Sequence, residues 1–228
     1  MPDAGTSGAE AALAPGAVPH AVPHAIPHAI PPWAVEAIVQ AGRRMDARGW
    51  VPATAGNISV RVADGRVAIT RSGGHKGYLD EAGVMLVDLD GRALTPGARP
   101  SAETGLHCQL YRLFPQAGAV VHGHSVPATV LSMTVERPAL HFEGYELLKA
   151  FEGQRTHETV LDLPVFDNDQ DIARLSRAVE PHLPDLRMGY LLRGHGVYVW
   201  GPDMPTALAR LEGLEFLLAC ELERRKLR

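Results

Sequence analysis

The sequence predicts a mixed α/β fold, with a central, largely antiparallel sheet covered by helices. Three observations carry this prediction. Segments with helical apolar spacing alternate with segments of period-two alternation. A tight hairpin signal, Asp64-Gly65, joins two of the short alternating runs. Strand and helix signals then recur along the chain, the pattern of a layered α/β domain.

The elements follow in order. Residues 1–32 are rich in Ala, Pro, Gly and His and repeat a four-residue unit through Pro19-His20-Ala21-Val22, Pro23-His24-Ala25-Ile26 and Pro27-His28-Ala29-Ile30. A proline every fourth residue forbids a helix that would align these imidazoles, so residues 1–32 are expected to be a disordered leader. Residues 33–228 are expected to form one folded domain. Ala34, Ile38, Ala41 and Met45 keep helical spacing up to Gly49, a residue suited to a left-handed helix end. Ile58, Val60 and Val62, then Val67 and Ile69, give two paired strands, and a third runs from Val84 to Asp88 before the Asp90-Gly91 turn. Ser101 is expected to cap a helix carrying Leu106, Leu110, Leu113 and Phe114 on one face, which Pro115 stops. Residues 118–124 read as a strand, 143–151 as a helix and 160–166 as extended. Ile172, Leu175 and Val179 mark a helix with an acidic cap around Asp169. Residues 190–192 and 197–200 read as strands. The last helix opens at Asp203, with Met204, Ala207, Leu211, Leu214 and Leu218 as its apolar stripe.

Composition narrows the function classes. The chain has 228 residues, 46% of them apolar, enough for one continuous core. No uninterrupted apolar run approaches the eighteen or so residues of a membrane span, and a secretory signal is missing, so a soluble cytoplasmic protein is expected. A net charge of -4, with basic residues clustered only at Arg224-Arg225-Lys226, speaks against nucleic acid as a partner. The two cysteines, Cys108 and Cys220, both fall in helical segments and are expected to be small buried hydrophobes.

His122 and His124 sit two apart on a strand, so both imidazoles project from one face, with Gly123 between them. His195 lies between Gly194 and Gly196 directly after an apolar strand. Three neutral imidazoles with an open position would make a catalytic zinc site, the alternative for the pair being two polar residues at a strand end. The remaining histidines outside the leader, His75, His107, His141, His157 and His182, carry no motif and are expected to be structural or surface residues.

Thr54-Ala55-Gly56-Asn57-Ile58-Ser59, Ser72-Gly73-Gly74-His75-Lys76-Gly77, Pro100-Ser101-Ala102-Glu103-Thr104, the histidine pair and Arg193-Gly194-His195-Gly196 stand in the order found in the class II aldolase and adducin superfamily, which the chain resembles from Val35 onward. Glu143-Gly144-Tyr145-Glu146-Leu147-Leu148-Lys149-Ala150 and Phe166-Asp167-Asn168-Asp169-Gln170-Asp171 are similar to its dehydratase branch, which removes water from a methylthio-substituted ketose phosphate in methionine salvage. The resemblance implies a class II aldolase-like fold, one zinc ion per subunit held by His122, His124 and His195, and a homotetramer. It also implies a glutamate acid/base at Glu146, whose bland reading is an i, i+3 pair with Lys149. Glu103 remains open between fourth metal ligand, second proton carrier and favourable first-turn acid. Gly56, Asn57, Ser72, Gly73 and Ser101 are candidates for the substrate phosphate, with Lys76 adding charge; the alternative for the glycines is turn geometry alone. Rival functions are a class II aldolase cleaving fuculose or ribulose phosphate and a non-catalytic adducin-like interaction module.

Overall fold

A computed structural model describes residues 29–63 and 65–227 of the chain. The expected leader lies outside the described residues up to residue 28, as does Asp64 of the first hairpin. Helix α1 (Pro32–Ala47) begins one residue before the expected domain boundary, with proline in its first turn. Its Ala34, Ile38, Ala41 and Met45 are buried, and the chain leaves it through Gly49 at φ +71.

Strands β1 (Asn57–Val62), β2 (Arg66–Thr70) and β3 (Val84–Asp88) form an antiparallel meander, and Gly65 at φ +69 makes the first turn. Helix α2 (Thr104–Leu113) starts later than expected. Ser101 is not its cap: the Ser101 hydroxyl accepts the Glu103 N–H at 3.4 Å, and Glu103 occupies the cap position without a side-chain cap bond. The Glu103 carboxylate is turned toward histidines instead, as described below. Strand β4 (Ala119–Gly123) follows.

Helix α3 (Val126–Thr134) and strand β5 (Ala139–Glu143) occupy a stretch that carried no sequence expectation. The outward positions of α3 are apolar as well (Val126, Val130 and Met133 are exposed), which erases the polar half of the helical pattern. Ser125 caps this helix by accepting the Ala128 N–H at 3.1 Å. The helix expected over 143–151 is a short 3-10 turn over Glu146–Ala150, because β5 extends through Glu143 and Gly144 turns the chain at φ +76. Strand β6 (Val160–Phe166) leads to helix α4 (Ile172–Val179). Its cap is Asp171, which accepts the Arg174 N–H at 3.0 Å, whereas Asp169 accepts the Asp171 N–H and pairs with the Arg174 side chain. Strands β7 (Tyr190–Leu192) and β8 (Gly196–Gly201) precede helix α5 (Met204–Lys226), capped by Asp203 as expected. Cys108 is buried, but Cys220 is only half-buried; both are free thiols.

The sheet has 8 strands in the order β3-β2-β1-β4-β8-β7-β6-β5, and β6–β7 is its one parallel pairing among the described residues. Alternation along each strand sends side chains into two cores. Ile58, Val60 and Val121 meet α1, α3 and α5 on one face, while Val67, Ile69 and Val120 meet α2 and α4 on the other. The stripe of α5, Met204, Ala207, Leu211, Leu214 and Leu218, is buried throughout. Each of its leucines contributes about 1.5–3 kcal/mol by leaving water. Within the sheet, His122 stands directly opposite Asn57 of β1 and Tyr198 of β8, and Tyr198 stands opposite Tyr190 of β7. Cross-strand partners share a face. One row of side chains therefore crosses four strands on the α2/α4 side.

Candidate metal centre and adjoining anion pocket

That row stacks. The His122 ring lies 4.0 Å from the Tyr198 ring at 16°, and Tyr198 lies 4.9 Å from Tyr190 at 11°. Gly196 makes this approach possible, since a Cβ there would collide with the Gly123 carbonyl and crowd the His122 ring. The face of Gly123 away from the imidazoles packs against Trp50 and Met45, and the Trp50 carbonyl accepts the His124 N–H at 2.6 Å. A Cβ at 123 would crowd that carbonyl at 3.1 Å.

His122, His124 and His195 converge as expected, joined by Glu103 from the start of α2; one ligand atom from each lies within 4.8 Å of the others. The Nε2 atoms of His122 and His124 are 2.8 Å apart. Glu103 Oε1 is 2.9 Å from His195 Nε2 and 3.7 Å from His122 Nε2. Donors about 2.0–2.2 Å from one tetrahedral ion sit roughly 3.4 Å apart, so these residues fit a single divalent ion. Hydrogen bonding also orients the rings. His122 Nδ1 donates to the Val197 carbonyl at 2.9 Å, and His195 Nδ1 donates to Asn168 Oδ1 at 3.3 Å, leaving both Nε2 lone pairs directed inward. Helix α3 anchors the His195 turn: Ser132 Oγ accepts the Gly194 N–H at 3.0 Å, and Arg193 donates to the Ser132 and Val135 carbonyls.

The site is electrostatically prepared for a cation. Burial holds His122 well below its ordinary value and lowers His124 to about 4, helped by repulsion from neighbouring imidazoles. Burial opposes ionisation of Glu103, yet the His195 hydrogen bond and the adjacent imidazoles prevail and lower it to about 2. Burial thus disfavours protonation of His122 and His124 beside a carboxylate that is held ionised.

Gly56, Asn57, Ser72, Gly73, Lys76 and Ser101 all line one cavity of about 250 Å³, whose wall includes Glu103 and His124 of the metal cluster. Gly56 adopts φ +78, where a Cβ would strike Val51 and the His122 carbonyl. Asn57 is 3% exposed, and its Oδ1 has no hydrogen-bond partner. That unpartnered oxygen is an acceptor, so it suits a hydroxyl or a cationic donor rather than a phosphate oxygen. Lys76 is placed differently: its ammonium is bonded to the Thr54 and Gly74 carbonyls at 2.8 and 2.7 Å. Thr54, Ala55 and Arg71 also line the cavity and were missed in the sequence. Arg71 could have been found from its place two residues after Ile69 on one strand face.

Glu146 is not brought to this site. It is exposed and paired with Lys149 and, at 3.8 Å, with His157. The 3-10 turn follows β5, four strands from β4, or about 19 Å across the sheet. It also lies at the opposite end, since Glu143 pairs with Val160 while Phe166, at the far end of β6, pairs with Leu192 beside the His195 turn. His107, expected to be structural or at the surface, is structural: it sits fully buried one helical turn after Glu103 and bonds Ser59 at 2.7 Å, which bonds Tyr111 at 2.9 Å. Among the described residues no helix is long and apolar enough to cross a membrane.

A mixed sheet between helix layers, with three histidines and a glutamate at one end, matches a known family: residues 36–222 fit the Class II Aldolase and Adducin N-terminal domain, and the chain belongs to this family. Methylthioribulose-1-phosphate dehydratase of Gluconacetobacter diazotrophicus is 66% identical over 197 residues, covering 86% of this chain and 96% of that protein. The protein of the same name from Pseudomonas fluorescens is 52% identical, covering 83% of this chain and 92% of its own length. Among solved structures, L-fuculose-1-phosphate aldolase from Thermus thermophilus superposes with a TM-score of 0.70 at 27% identity, covering 85% of this chain and 94% of that one.

Proposed function

We propose that the chain is a zinc-dependent hydro-lyase that dehydrates 5-methylthioribulose 1-phosphate to 5-methylthio-2,3-dioxopentyl phosphate, in the cytoplasm, as a step of methionine salvage. The observation that carries this reading is that one cavity is lined both by the turns at Gly56 and Gly73 with Ser72 and Ser101 and by the Glu103 and His124 members of the metal cluster. A ketose 1-phosphate carries both an anionic group and a carbonyl oxygen able to meet a metal. The curated relatives bearing the dehydratase name supply the reaction type.

Zinc held by His122, His124 and His195 would supply Lewis-acid polarisation of the ketose carbonyl and its neighbouring hydroxyl. The chain's own groups do the rest. The Asn57 amide, the backbone N–H groups at Gly56 and Gly73 and the hydroxyls of Ser72 and Ser101 orient the phosphate. A carboxylate takes the proton from the carbon bearing that hydroxyl and returns a proton to the next hydroxyl as it departs as water. The resulting enol tautomerises to the diketone.

Glu146 is assigned to this proton transfer from a neighbouring subunit of a homotetramer, and Glu103 to the resting metal site. Self-association is supported by the exposed apolar side chains Val126, Val130 and Met133 of α3 and Phe216 of α5. The test incubates zinc-loaded protein with methylthioribulose 1-phosphate and, separately, with fuculose and ribulose phosphates. Diketone from the first substrate alone is expected; aldehyde fragments from the others alone would replace the dehydratase reading with the aldolase one.

A further inference from the structure

The anion pocket needs a cation, and Lys76 is badly placed to be it. Lys76 is 1% exposed, and two of its three ammonium hydrogens are committed to the carbonyls of Thr54 and Gly74. Those bonds tie the loop before β1 to the loop after β2. Burial also lowers its pKa to about 8, so its charge is less secure than that of an ordinary lysine.

Arg71 lines the same cavity, one residue beyond the end of β2. Ser59 pairs with Ile69, so the register continued by two residues sets Arg71 opposite Asn57, which itself stands opposite His122. All three then belong to one face of the sheet. The Arg71 Nε is buried without a hydrogen-bond partner, and among the described residues no carboxylate pairs with its guanidinium. A guanidinium presents a rigid fork of N–H donors that matches two phosphate oxygens at once, whereas an ammonium offers only a point charge.

We propose that Arg71 is the residue that clamps the substrate's phosphate, beside Asn57, while Lys76 serves as a pin between the two loops. This rests on the ketose-phosphate reading of the pocket.

The test uses the zinc-loaded enzyme and two readouts: calorimetric affinity for inorganic phosphate, and kcat and KM for methylthioribulose 1-phosphate. Arg71→Gln is expected to weaken phosphate binding and raise KM by about 10–100-fold, the scale of a lost charged hydrogen-bond pair, with kcat changed far less. Arg71→Lys should recover little of this, for want of the fork. Lys76→Met should instead lower the melting temperature. Phosphate affinity within threefold of the parent in Arg71→Gln overturns the proposal, as does a change in the mass of its assembly, which would assign Arg71 to a subunit contact. If the parent forms no diketone, the dehydratase reading fails, while the phosphate measurement still decides the role of Arg71.

Discussion

His195 and Asn168 face each other from two loops, with the imidazole Nδ1 3.3 Å from the amide oxygen, and this bond turns Nε2 toward Glu103. Asn168 follows β6 and His195 follows β7, the parallel pair of the sheet. A contact between loops 27 residues apart thus sets the aim of one ligand.

Removing that acceptor should loosen the metal without removing a ligand. Asn168→Ala is expected to weaken metal affinity about 10–100-fold, the usual scale for a lost partner behind a ligating histidine. Competition with a chromogenic chelator measures it, and an unchanged affinity would mean that Asn168 does not orient the ring.

The remoteness of Glu146 from the histidines of its own chain leads to a mixing experiment. Glu146→Gln and His122→Ala should each lose most activity, about 10²-fold or more for the missing proton carrier. Co-refolded in equal amounts, they should regain a substantial fraction of wild-type turnover, because some interfaces would unite an intact glutamate with an intact histidine set. No recovery, with mixed assemblies verified by mass, would return the proton transfer to Glu103.

Acid should destabilise the metal-free protein partly through His107. Burial lowers this imidazole to about 4 in the fold, against about 6.5 in an unfolded chain. Between those values the unfolded state binds the extra proton, so stability falls as pH drops through that window, by on the order of 3 kcal/mol for this residue. Urea unfolding at intervals from pH 7 to pH 4 should show a shallower loss in His107→Gln than in the parent; equal slopes would assign the acid sensitivity to other groups.

Much of this architecture was legible from periodicity and end signals. The stripe of α5, the cap at Asp203 and strands β3, β6 and β7 lie where the pattern puts them, because α5 and β6 bury mainly one face while β3 and β7 are short apolar runs buried on both. Helix α3 was illegible for a physical reason: its outer face is also apolar, so Val126, Val130 and Met133 hide the period. That omission matters, since Ser132 on this helix holds the turn carrying His195. The histidine pair could be read from strand parity, and the third histidine from its glycines. Glu103 as a neighbour of all three could not be read that way, because it depends on where a helix begins relative to a distant strand. Spacing also says nothing of whether Lys76 points into the pocket or into backbone carbonyls.

Asn57 and His122, paired across adjacent strands, make the sheet a ruler. Backbone hydrogen bonding fixes neighbouring strands about 4.8 Å apart, so the separation of the Asn57 and His122 backbones is set by the pleat rather than by flexible loops. On the proposed function, a sugar with its phosphate one carbon from the carbonyl would be held across that fixed spacing. Its regioisomer, phosphorylated at the far end of the chain, would need an anchor several divisions away, and the molecule would discriminate between the two by length before any chemistry begins.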